Sequence, residues 1–145
     1  DGTIDCIATD HAPHAPATKE DTFDVAPFGI IGMATAFPVL HSAFVASGRW
    51  ELPWLIERMT AAPARVMGKE GKWGTLGVGL PGDLVLLDVE EEFEMTTERL
   101  GSRSRNCPWL GERLCGRAVL TMVDGAVVYA DQSRFADVTP SGALV

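Results

Sequence analysis

Residues 3–14 read TIDCIATDHAPH, and the break inside this stretch decides how the chain is read. Thr3, Ile4, Cys6, Ile7 and Thr9 lean towards β-structure, whereas Asp10, His11, Pro13 and His14 stop a strand and open a loop. The pattern predicts a strand over residues 3–9 that ends near Asp10. Residues 11–28 (HAPHAPATKEDTFDVAPF) continue as eighteen residues with prolines at 13, 16 and 27. A connection of that length inside a compact domain usually serves as a functional lid or is disordered.

Beyond the loop, apolar and small residues recur at helical spacing over 29–47 (Ile30, Ile31, Met33, Phe37, Leu40, Phe44), with Pro38 inside the run and Gly48 after it. This predicts a helix bent at Pro38 and capped by Gly48. A second helix is expected over 51–60, with Pro53 in its first turn and Leu52, Leu55, Ile56 and Met59 on one face. A third, short one is expected over 63–67, ending at Gly68.

The character then changes. Residues 71–82 (GKWGTLGVGLPG) hold five glycines and a proline, and 84–89 (LVLLDV) read as a buried strand. Residues 118–123 and 126–130 flank Asp124-Gly125, a strong two-residue hairpin signal. The acidic run Glu90, Glu91, Glu92 reads as a solvated face. The division is therefore strand, loop and helices over 1–68, and a β-rich segment over 69–145.

Composition narrows the function classes. The 145 residues carry 12 Lys+Arg against 20 Asp+Glu, a formal charge of −8, and 46% are hydrophobic. An acidic surface repels nucleic acid and anionic lipid, so neither is an expected partner. Asp, Glu, Lys, Arg, Gly or Pro interrupts every apolar run before it reaches the length of a membrane span. Cys6, Cys107 and Cys115 are odd in number and form no CxxC pair, which favours a reducing, cytoplasmic setting over a disulfide framework or a zinc ribbon. The opening Asp1-Gly2-Thr3 carries no basic-then-apolar leader, and the chain reads as part of something longer.

The chemistry concentrates at Asp10, His11 and His14, one carboxylate and two imidazoles at a strand end. In a β/α barrel such a position faces the active-site mouth. A carboxylate there can ligate a metal through one oxygen and handle a proton with the other, and His14 can act as a ligand, an acid or base, or a donor to an anion. The plainer alternative is that Asp10 caps a turn and the histidines are exposed and inert. Pro13 spaces the three side chains too rigidly for one metal shell, so most ligands would lie elsewhere. Downstream, Ala26-Pro27-Phe28-Gly29-Ile30 either presents backbone N–H groups to an oxygen or only turns the chain into the helix. His41, the one further histidine, lies mid-helix, where a core or surface role is expected.

IATDHAPH (7–14), APFGI (26–30) and ATAFPVL (34–40) together resemble the last barrel strand and following loop of dihydroorotases in the amidohydrolase superfamily. PARVMG (63–68), GVGLPGDLVLLD (77–88) and SRNCPWLGERLCGRAVLTMVDGAVVY (104–129) extend the resemblance over nearly the whole chain. It implies an α/β fold: the C-terminal part of a TIM-type (β/α)8 barrel, its last strand and helices, followed by a small β-sandwich segment. By position it makes Asp10 both metal ligand and catalytic general base, His14 the contact to the substrate carboxylate, and Phe28 and Gly29 the backbone that binds the substrate ring. It transfers no role to His11.

The implied reaction interconverts dihydroorotate and N-carbamoyl-L-aspartate in pyrimidine biosynthesis, with Zn2+, binuclear in the complete enzyme. Implied partners are a small-molecule substrate, the N-terminal part of the barrel and further copies in a homo-oligomer. The remaining metal ligands lie outside this chain, so alone it is expected to be inactive. Alternatives are another cyclic amidohydrolase, of dihydropyrimidinase, hydantoinase or allantoinase type, and a non-catalytic dihydroorotase-like assembly subunit.

Overall fold

The computed structural model describes residues 2–141. Its helices are α1 (Pro16–Lys19), α2 (Ala36–Leu40), which runs directly into a π-helical turn (His41–Val45), α3 (Leu52–Met59) and α4 (Ala61–Val66). The strands are β1 (Leu84–Glu94), β2 (Arg113–Val123) and β3 (Ala126–Ala130), with a 3₁₀ turn at Glu98–Leu100. They form one antiparallel sheet in the order β1-β2-β3.

The hairpin forms where Asp124-Gly125 predicts it. Val123 pairs with Ala126, and both central residues take positive φ, 49° and 77°, the geometry that matches strand twist. Asp83 Oδ1 accepts from Asp124 N–H (2.6 Å) and Gly82 O from Gly125 N–H (3.2 Å), so the Pro-Gly-Asp turn before β1 braces the hairpin tip.

Several expectations change. The strand expected to be buried over 84–89 forms as the start of β1, but in a three-stranded sheet it is only partly covered, with Val85 and Leu86 each 46% exposed. Residues 3–9 form no strand: Ile7 N–H donates to Arg58 O of α3 (3.0 Å), and among the described residues no neighbouring strand offers a ladder. A β-run without a pairing edge stays irregular whatever its propensity. Arg58 Nη1 also donates to Asp5 O (2.8 Å), so a helix holds the segment. The helix expected from residue 29 begins only at Ala36. Pro38 has no N–H to donate, which costs nothing in a first turn and would break a helix already two turns long.

The acidic run divides. Glu90 and Glu92 are exposed, but Glu91 is mostly covered and pairs with Arg117 (2.6 Å) and Arg134 (2.7 Å). Arg117 also pairs with Asp131, and Arg134 with Asp88 (2.6 Å). The Asp131 carboxyl is held well below the usual carboxylate range by the Ser133 hydroxyl and the Arg117 guanidinium.

The core joins both halves. Ile31, Phe93, Met95, Leu100, Cys107 and Leu114 are buried together, with Ile31 fully enclosed. On the other side of α2, His41 is 4% exposed and its Nδ1 lies 3.0 Å from Cys115 O of β2. It is a satisfied core histidine.

Candidate active site

The loop that follows Asp10 folds back on the turn before α2. Ala12 N–H donates to Ile30 O (2.9 Å), and His14 Nε2 lies 2.7 Å from Phe28 O, where it can only be the donor. His14, Phe28 and Gly29 are thus brought together from positions fourteen or more residues apart. Gly29 has φ 103°, and a Cβ there would lie 2.4 Å from Ala12 Cβ, so only glycine permits this approach. Phe28 projects outward, 94% exposed.

The long loop is closed at its base. Lys19, in the last turn of α1, donates through Nζ to Pro27 O (2.8 Å) and Gly29 O (3.3 Å). The carbonyls of residues 27–29 are therefore all engaged, by Lys19, His14 and, as described below, Asn106. Because these peptides are trans, the N–H groups of Gly29 and Ile30 face away from the donors that hold Phe28 O and Gly29 O. Among the described residues no hydrogen bond engages either N–H, so both can donate to an oxygen of a bound molecule.

His11, for which the sequence provides no role, has a structural one. Its Nδ1 accepts from the N–H groups of Gly32 (3.1 Å) and Met33 (3.2 Å). Accepting twice at Nδ1 puts the ring proton on Nε2 and ties the residue after Asp10 to the approach to α2. Asp10 itself is exposed and carries a positive φ of 45°, rare for a residue with a side chain. No hydrogen bond or ion pair holds its carboxylate among the described residues, which leaves both oxygens free.

Asn106 joins the site without any signal in the sequence. Its Oδ1 accepts from His14 N–H (3.2 Å), and its Nδ2 donates to Ala12 O (2.7 Å) and Gly29 O (3.2 Å). Its own carbonyl accepts from Ile31 N–H (3.0 Å). Its place in SRNCPWLG, more than seventy residues downstream, gives no local signal of this contact.

Among the described residues no three His, Cys, Asp or Glu side chains are grouped to hold a metal ion. Asp10 suits one position of a metal shell, since its oxygens are free, and His11 and His14 spend ring nitrogens on backbone groups. The donor set does not build a complete zinc site. A separate groove of about 640 Å³, lined by Phe37, Ile56, Met59, Val85, Leu87 and Tyr129, is apolar and includes none of these three residues.

Known proteins resemble this chain in sequence and in fold. The model of the amidohydrolase family matches residues 31–129. A dihydroorotase of Staphylococcus epidermidis is 43% identical over 132 residues, covering 91% of this chain and 31% of that protein. One from Macrococcus caseolyticus is 44% identical, covering 90% and 30%. Among solved structures, an L-hydantoinase (dihydropyrimidinase) from Arthrobacter aurescens superposes with a TM-score of 0.81 at 32% identity, covering 90% of this chain and 30% of that one. This chain thus spans about three tenths of the length of the relatives it matches. With the family model covering most of the chain from the buried Ile31 to the end of the hairpin, the chain belongs to the amidohydrolase family.

Proposed function

We propose that this chain is the C-terminal part of a zinc-dependent dihydroorotase, which interconverts N-carbamoyl-L-aspartate and dihydroorotate in pyrimidine biosynthesis. The observation that carries the reading is the meeting of His14 with the Phe28-Gly29 backbone in the folded-back loop that follows Asp10. The identity of about 43% to proteins named dihydroorotase supports the choice of substrate. In this reading residues 1–68 close a (β/α)8 barrel, residues 69–145 contribute to a small β-sandwich, and residues 3–9 gain strand neighbours from the rest of the protein. The partners are the substrate, the N-terminal part of the barrel and further copies of the chain.

Ring opening adds water across the cyclic amide: the water oxygen bonds to the carbonyl carbon, the ring C–N bond breaks, and one water proton ends on the departing nitrogen. Asp10, through the oxygen that does not hold metal, takes that proton and returns it, so one carboxylate serves attack and departure. The free N–H groups of Gly29 and Ile30 hold a substrate oxygen, and His14 grips the substrate carboxylate. Asp10 would hold one position of a zinc ion whose other ligands lie outside this chain, and the metal would supply polarisation of the carbonyl and a lower pKa for water, towards about 7.

A second reading, a hydantoinase or dihydropyrimidinase, is favoured by the L-hydantoinase superposition. Substrate preference separates the two. A dihydroorotase requires the ring carboxylate and turns over dihydroorotate far better than dihydrouracil or hydantoin; the reverse order supports the second reading.

A further inference from the structure

We propose that Asn106 is a positioning residue for the substrate-binding face, a clamp that sets His14 and the Gly29 backbone at a fixed separation. This rests on the reading of His14 and Phe28-Gly29 as substrate contacts.

Three side-chain hydrogen bonds from one amide reach two different segments. Oδ1 accepts from His14 N–H, while Nδ2 donates to Ala12 O and Gly29 O. The partners fix the amide's orientation, because a flipped group would face an N–H with its NH2 and two carbonyls with its oxygen. An amide is also the side chain of this size that offers an acceptor and two N–H donors together. Aspartate keeps the acceptor and places negative charge against two carbonyl oxygens; serine and alanine lose the reach.

The clamp is mounted on the core. Asn106 O accepts from the N–H of Ile31, which is fully buried, and the next residue, Cys107, lies in the same apolar cluster. Ala12 and Gly29 already approach until no further atom fits between them, so the amide bridges a tight junction. Its loss frees Gly29 O from one of its two donors and His14 N–H from its acceptor, and the two segments are then held together by the His14–Phe28 and Ala12–Ile30 hydrogen bonds with less restraint on their separation. A displacement of about 1 Å in such groups can cost on the order of 100-fold in rate.

The test uses the full-length protein and whichever of dihydroorotate, dihydrouracil or hydantoin the wild type turns over, with Asn106→Ala, Asn106→Asp and, as a control in the same core but outside the clamp, Leu100→Ala. Both Asn106 variants are expected to raise KM about tenfold or more at temperatures where they remain folded, while Leu100→Ala lowers the melting temperature and leaves KM unchanged. Adding Asn106→Ala to His14→Ala should cost less than the product of the single effects, because the clamp acts partly through His14. KM within about twofold of wild type in a folded Asn106 variant overturns the proposal. So does failure of both Asn106 variants to fold, which assigns the residue to stability alone. Preference of the wild type for hydantoin overturns the dihydroorotase reading and leaves the clamp to be judged on hydantoin kinetics; a wild type inactive on all three overturns both.

Discussion

His14 Nε2 donates to Phe28 O across 2.7 Å, so the imidazole proposed to meet the substrate carboxylate is already tied to the backbone that meets the substrate ring. A neutral imidazole has a single N–H, and here the carbonyl takes it. A carboxylate contact therefore uses Nδ1 of the imidazolium, or draws Nε2 away from Phe28 and loosens the turn. Either way, binding at His14 is mechanically linked to the Phe28-Gly29 turn.

Removing His14 should weaken substrate binding without emptying the metal centre. His14→Ala removes a hydrogen bond to a charged group, worth about 1.5–3 kcal/mol, from kcat/KM. Kinetics beside metal analysis of the purified full-length variant checks this. Zinc loss would instead make His14 a ligand.

In the proposed reaction Asp10 bears the proton. Asp10→Asn keeps an oxygen in place but cannot accept a proton, so kcat should fall by about 10²–10⁴-fold. Steady-state rates within a few-fold of wild type would remove Asp10 from the chemistry.

Gly29 sets the approach of the two segments. Gly29→Ala places a methyl 2.4 Å from Ala12 Cβ and forces φ 103° on a residue with a side chain. Strain of about 1–3 kcal/mol is expected to open the junction and raise KM, with a lower melting temperature. Wild-type KM and melting would show that the segments do not meet this way.

The ion network sets an acid limit on the β-sheet. Asp131, mostly covered, has its carboxyl depressed by Ser133 and Arg117, so the folded state binds its proton less readily than the unfolded chain. Its stabilisation is complete above the unfolded carboxylate value of about 4 and is lost as pH falls through the depressed folded value. Urea denaturation followed between pH 6 and about 2 should show this loss in wild type and a shallower one in Asp131→Asn. Equal pH dependence in both would contradict it.

Local signals explain which parts of this fold the sequence reveals. Asp124-Gly125 needs only its own turn geometry, and α3 only its apolar face with Leu55 buried, so both lie where their residues place them. The strand over 3–9 depends on partners that no local pattern supplies, and residues 29–35 look helical by spacing although Pro38 delays the helix start. At the site, Asp10 and His14 are visible as chemically distinctive residues, and the APFGI turn by its Pro-Gly pair. His11 and Asn106 act by bonding backbone groups 21 to 94 residues away, and such tertiary hydrogen bonds leave no periodicity. Glu91 likewise resembles its exposed neighbours until Arg117 and Arg134 fold over it.

The most direct measurement is ring opening by the full-length zinc-loaded protein, with L-dihydroorotate, dihydrouracil and hydantoin compared at equal concentration and the product identified by mass. The account predicts N-carbamoyl-L-aspartate from dihydroorotate as the dominant product, reduced by about 10²–10⁴-fold in Asp10→Asn. Preferential opening of hydantoin or dihydrouracil, or undiminished turnover by Asp10→Asn, would contradict it.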